Sequence, residues 1–357
     1  MIVILFFFLS IIIYSVTPAK RQLLSAIGVG LLMFVSAFYL TDTNQYDLVN
    51  HREMYDTLQR GGLLAAQQYS EIDRSPLFVW MLYVMSLLED NRYTSALPTF
   101  IGYFILLYLL IQTSRKYKIP KSSQLFFLLF LLCIIPWHDY TAGIRGALAY
   151  SLCCLGVYFD FRKNNKLLAA VFYVFPVFIH QAAVIFLILR LFVYLINIFP
   201  FTKRIIYGLC LLGGSMVQLL GVAADDLANY TGLRILSIIS TSFQSYAVEG
   251  HDVYEPSVVI IRVCAVLLIY FLTKRHLDNE TESESDIFAM YTMLMLIAIG
   301  FVWQYDIVCR YTVACMMLSP LVLYRTRPDC IPLLVLFAIL NLLRYYFSYY
   351  SHWEIII

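Results

Sequence analysis

Apolar runs broken by short polar stretches repeat along the chain at 2–16, 22–40, 96–112, 122–137, 146–160, 205–223, 257–273, 287–303, 307–324 and 331–349. In a bilayer every backbone N–H and C=O must be paired within the protein, so apolar runs approaching ~20 residues predict membrane-crossing helices. Residues 167–199 are too many for one crossing, and Pro176, His180 and Gln181 interrupt them. Proline removes a helical hydrogen bond, so this stretch predicts two helices meeting near His180. Pro76 to Leu88 is only 13 residues long and too short to cross comfortably.

Basic residues are retained on the cytoplasmic side of a membrane. Lys20/Arg21, Arg115/Lys116/Lys118/Lys121, Arg162/Lys163/Lys166, Lys203/Arg204, Lys274/Arg275 and Arg325/Arg327 all fall on one side only if 76–88 does not cross. That choice puts all eight lysines inside and both termini outside. If 76–88 crosses instead, one basic loop violates the rule. The expected fold is therefore all-α, a single integral membrane domain over 1–357 built as a polytopic transmembrane helical bundle of about 12 spans, in the range 11–13. The first extracytoplasmic loop, 41–95, holds 76–88 as a re-entrant or interfacial helix, and the second spans 225–256.

Both loops are acidic. In 41–75, Asp42, Asp47, Glu53, Asp56, Glu71 and Asp73 outnumber Arg52, Arg60 and Arg74 for a net −3, and in 225–256 Asp225, Asp226, Glu249, Asp252 and Glu255 face only Arg234 for a net −4. Each also carries apolar and aromatic residues, so short helices folded over the membrane mouth are expected. The alternating Glu and Ser of 278–286 reads as the one mobile stretch, on the cytoplasmic side.

Composition agrees with the pattern. Hydrophobic residues make up 61% of the 357 and charged residues 13%, with mean hydropathy +0.76, whereas a soluble domain is nearer one quarter charged. A net charge of +2 gives no electrostatic case for a nucleic-acid partner. The eight cysteines lie in or beside apolar runs with no repeated CxxC and no clustering with histidine, so they read as small buried hydrophobes. The run 2–16 has no basic n-region and no small-residue cleavage site, and is expected to be a first span rather than a removed signal peptide.

Ionisable residues within spans are costly and mark function by default. Arg145, Arg262, Arg310 and Arg344 all fall at outward helix ends, His180 joins them at the broken pair, and Trp137-His138-Asp139-Tyr140 precedes Arg145. The guanidinium fork matches phosphate oxygens and stays charged when partly desolvated. An arginine at a helix end also snorkels to lipid headgroups or pairs with a carboxylate, here Asp139, Asp306 or Glu255. A histidine at a helix break serves as a hydrogen-bonded structural residue as readily as a catalyst. Arg190, mid-span, needs an internal partner that the sequence does not name. No two histidines have the i, i+4 spacing of a zinc site such as HExxH, and no metal and no cofactor are expected.

Three segments resemble, in order, the EpsG family of exopolysaccharide proteins and the related Wzy-type O-antigen and capsule polymerases. Thr41-Asp42-Thr43-Asn44-Gln45-Tyr46, with Tyr55 nine residues later, is similar to the family's Asp-x-x-x-Tyr…Tyr opening of the first outer loop. Gly143-Ile144-Arg145-Gly146-Ala147-Leu148-Ala149 is similar to its Ile-Arg-x-x-Leu-Ala segment, and Phe178-Ile179-His180-Gln181-Ala182-Ala183 to its Phe-x-His-x-Ser-Ala segment. Ala182 stands where the family commonly has Ser, and Gly143 where a polar residue is frequent.

The resemblance implies a GT-C-like membrane glycosyltransferase in the bacterial cytoplasmic (inner) membrane. It would polymerise undecaprenyl-diphosphate-linked repeat units into O-antigen, capsule or exopolysaccharide, alongside flippase and chain-length regulator proteins. Such chemistry needs a stabilised diphosphate leaving group and an activated acceptor hydroxyl. Arg145, with Arg52, Arg74, Arg310 and Arg262, is assigned to the diphosphate. His180 and Asp42 are the candidates for base or acceptor positioning, with Glu71, Asp139 and Tyr46 lining the substrate. Other readings are a flippase, which needs a charged cavity reached from both faces, and a membrane acyltransferase built around His180 or His138-Asp139.

Overall fold

The computed structural model describes residues 2–39, 46–65, 67, 69, 75–135, 137–141, 143–213, 256–274 and 281–349, and among them there is no strand. The helices are α1 (Ile2–Val16), α2 (Gln22–Tyr39), α3 (Tyr46–Ala65), α4 (Pro76–Ser86), α5 (Tyr93–Lys116), α6 (Lys121–Ile134), α7 (Trp137–Thr141), α8 (Ile144–Val157), α9 (Lys166–Val174), α10 (Val184–Ile198), α11 (Pro256–Thr273), α12 (Glu282–Gly300), α13 (Tyr305–Leu318) and α14 (Ile331–Tyr349). Among the described residues, six segments are long and apolar enough to cross a membrane: Ala19–Tyr39, Tyr93–Lys116, Ile144–Arg162, Gln181–Ile198, Pro256–Thr273 and Glu282–Gly300. Five more apolar helices run shorter, α1, α4, α6, Lys166–Phe178 and Pro328–Leu343.

The expected break in 167–199 is present. Lys166–Val174 tightens into a 3-10 turn at Phe175–Phe178, His180 is extended (φ −151°, ψ 114°), and a second 3-10 turn at Gln181–Ala183 starts α10. The freed backbone groups are satisfied locally: the His180 N–H donates to the Pro176 carbonyl at 2.9 Å, and the Ala183 N–H to the His180 carbonyl at 2.9 Å.

In the first loop, α3 is two helical pieces joined across a kink at Gly62 (φ 64°), and α4 follows them. The buried stripe of α3, Leu48, His51, Met54, Tyr55 and Leu58, repeats with the helical period, which is what packs a helix of mostly polar sequence against its neighbours. Other expectations are corrected. The Glu–Ser stretch is partly helical: Thr281 caps α12 in a reciprocal capping box with Glu284. Cys264 is exposed, while Cys309 and Cys330 are partly so; the other five cysteines are buried as expected.

α2 packs along α5, α5 along α8, α6 along α14, and α13 against α8, α11 and α12. Close approach is marked by glycine: a Cβ at Gly102 would strike the Tyr140 ring, and one at Gly300 the Leu211 carbonyl. Polar contacts fasten the bundle at two ends. At one, the Trp137 indole donates to Ser36 Oγ at 2.9 Å, Thr99 Oγ1 to the Tyr140 carbonyl at 3.1 Å, and the Tyr55 hydroxyl to the Met85 carbonyl at 2.8 Å. At the other, Lys116 and Tyr117 bind Glu284, Tyr14 and Gln22 share Gln124, Asn197 holds Asp286, and Arg325 donates to the Thr273 carbonyl.

Arg190 finds its partner at that second end. A π-turn at Tyr158–Arg162 extends α8 and carries Asp160, 3% exposed, which pairs with Arg190 and, at 2.6 Å, with Lys166. Removing one member of a buried pair leaves an uncompensated charge and costs about 3–5 kcal/mol, whereas removing both is far milder. Asp160→Leu is therefore expected to lower the thermal unfolding temperature of the detergent-solubilised protein sharply. The double variant Asp160→Leu/Arg190→Leu should recover most of the loss.

Candidate active site

Four elements bring cations and imidazoles together at the end of the bundle opposite Asp160. Arg145 sits in the first turn of α8, one residue after Ile144, whose burial anchors the helix start. Its guanidinium lies 5.6 Å from the centre of the Phe78 ring, on α4. Gly146 follows Arg145 and faces His180: a Cβ there would lie 3.6 Å from Cδ2 and 3.7 Å from Nε2 of the imidazole. The His180 ring meets Tyr150, one turn further along α8, edge to face at 6.0 Å. The titratable groups acting on His180 are Arg310 of α13, Arg145, and His51 of α3. The second and third sequence segments are thus in contact, with Arg310 beside them.

The His180 Nε2 is buried and has no hydrogen-bond partner among the described residues. It is aimed at the small surface of Gly146 and flanked by cations. A neutral imidazole so placed has an acceptor to offer an incoming hydroxyl.

His51 was not among the residues singled out from sequence. It is 2% exposed and packs edge to face on Phe78 at 4.8 Å, the same ring that Arg145 overlies. Burial, reinforced by the Arg145 guanidinium, pulls its imidazole down to about 3, so it is neutral at physiological pH. The signal was a histidine within the apolar stripe Leu48–Met54–Tyr55–Leu58 of an otherwise polar helix.

The remaining candidates separate. Arg262 and Asp139 pair at 3.1 Å, and Arg262 also donates to the Cys309 carbonyl at 3.3 Å, next to Arg310. Arg262 therefore holds α11 to α7 and α13 while lying beside the cluster. Arg262 and His138 also line an apolar cleft with Leu132, Ile135, Val258, Ala265 and Leu342. Arg52, next to His51 in the chain, is acted on by Asp90, Arg92 and Asp56. Hydrogen bonds from Arg92 hold the Asp90 carboxyl below the usual carboxylate range. Asp42, Glu71 and Arg74 lie outside the described residues, as does most of the second loop; Tyr46 opens α3, with its side chain outside them.

A methyl group added at Gly146 would already touch His180 and Tyr150 at ordinary contact distance. Gly146→Ala should keep polysaccharide chain length near the parent's, whereas Gly146→Leu should displace His180 and abolish chain extension. Gel profiles of polysaccharide from cells lacking the native protein, normalised to membrane protein level, provide the measurement.

Neither a curated protein nor a solved structure matches this chain. The family model of the EpsG family matches residues 23–355, nearly the whole chain. Together with the apolar helices, this match identifies a multi-pass membrane protein that belongs to the EpsG family of Wzy-like polysaccharide polymerases.

Proposed function

We propose that the protein is a glycosyltransferase that joins undecaprenyl-diphosphate-linked repeat units on the extracytoplasmic face of the bacterial inner membrane. The observation that carries this reading is the convergence of Arg145 and Arg310 on His180, from separate helices, at the one end of the bundle. The cations take the diphosphate of the donor, and His180 Nε2 takes the acceptor. The C1–O bond to phosphate breaks as the acceptor oxygen bonds C1, the hydroxyl proton passes to Nε2, and undecaprenyl diphosphate departs with its negative charge held by the arginines. An isoprenoid chain leaving that headgroup would meet the apolar wall of the cleft that Arg262 also lines. Asp42, Glu71 and Arg74 remain candidates for handling the acceptor sugar.

About twelve crossings and a GT-C-like arrangement belong to the same proposal, with the six long helices joined by the shorter apolar ones. Placing the site outside rests on the lysine and arginine distribution and on α4. Phe78, near the start of α4, meets Arg145, and Met85, near its end, meets Tyr55, so both ends of this eleven-residue helix lie at the site end.

Two experiments test these points. Purified protein given lipid-linked repeat units alone should build a ladder of products. Arg145→Ala should abolish it, and Arg145→Lys should restore little because an ammonium lacks the bidentate fork. His180→Ala and His180→Gln should each fall by ~100-fold or more, the usual scale of general-base loss; a long ladder from the glutamine variant would remove His180 from catalysis. Reporter fusions after Asn91 should read outside, and those after Lys118 and Asn164 inside. A cytoplasmic reading at Asn91 would mean that α4 crosses.

A further inference from the structure

We propose that His51 is a ligand of the substrate's diphosphate, donating a hydrogen bond from Nδ1 to a phosphate oxygen held by Arg145; this rests on the diphosphate reading of the site given above. His51 reaches the cluster from α3, a third direction beyond those of Arg145 and His180. Its ring is fixed by Phe78 at 4.8 Å, and the Arg145 guanidinium is fixed over the same ring, so one aromatic side chain sets both groups. His51 is 2% exposed, yet its Nδ1 has no hydrogen-bond partner among the described residues. A buried ring nitrogen ordinarily has one, since leaving it unpaired forfeits the solvation it had in water.

The location names the chemistry of the missing partner. The charged groups acting on His51 and His180 are arginines, so an anion is the partner that the field favours. A neutral imidazole surrounded by cations serves as donor to that anion without adding a charge to be neutralised. Phosphate oxygens accept several donors at once, which lets Arg145 and His51 bind the same group. Nothing about the packing against Phe78 requires a nitrogen at this position. A phenylalanine would fill the same space, and this separates the packing role from the binding role.

The test uses full-length protein in lipid nanodiscs and farnesyl diphosphate as the probe, with binding followed by calorimetry for the parent, His51→Phe, His51→Gln and Arg145→Ala. The inference expects Arg145→Ala to lose binding and His51→Phe to weaken it roughly tenfold to a hundredfold, the range for a hydrogen bond to a charged group. The glutamine variant, whose amide supplies a donor, should recover part of that loss. Binding by His51→Phe within twofold of the parent, with Arg145→Ala dead, would overturn the role of His51 and leave the diphosphate site standing. A parent that binds no better than Arg145→Ala would overturn both. Should His51→Phe not fold, parent protein labelled with 15N-histidine answers the question, because the chain has only six histidines. Addition of farnesyl diphosphate must then shift the His51 Nδ1 resonance, and an unmoved resonance would reject the proposal.

Discussion

The interruption of the helical pair at His180 is the constraint on which the site depends. An unbroken helix would point successive side chains around a cylinder and tie every amide to its own turn. Pro176 cannot donate, the chain tightens, and His180 becomes extended, with its N–H and carbonyl both re-bonded within seven residues. Only because those bonds close locally is the break compatible with an apolar surround. The imidazole is thereby turned toward α8, where Gly146 leaves it room beside Arg145. His51, Phe78 and Arg310 are arranged around that meeting point.

Charge is divided between the two ends of the bundle and used differently at each. At the end away from His180, Asp160, Glu284 and Asp286 each have named partners, and Arg162 overlies the stacked pair Tyr117 and Tyr324. Those contacts join helices distant in sequence and behave as fasteners. At the His180 end, Arg262 and Asp139 play the same part at the margin, while the centre holds arginines and imidazoles. In that centre His180 Nε2 and His51 Nδ1 are buried without a hydrogen-bond partner among the described residues.

Much of the architecture was legible because membrane helices are specified by local apolarity. The run 2–16 is α1, 331–349 is α14, and the split near His180 falls where Pro176 and the polar pair place it. Features that depend on juxtaposition were not legible. The partner of Arg190 lies on a π-turn that no periodicity announces. Arg262 pairs with Asp139, one of the carboxylates the sequence offered to these arginines, but which arginine would take it could not be read from the chain. His51 was hidden by its polar helix, although its register with Leu48, Tyr55 and Leu58 placed it on the buried face. The Thr281–Glu284 spacing of a capping box was in plain view within a stretch read as mobile.

The cluster draws its side chains from α3, α8, the His180 turn and α13, so its members are separated by most of the chain. During synthesis His51 emerges early and Arg310 late. A nascent chain inserted only as far as α12 has both imidazoles and Arg145 but lacks its second central guanidinium. The half-made protein therefore lacks part of the proposed anion site, and the cluster closes only when the last third of the chain has folded back onto the first.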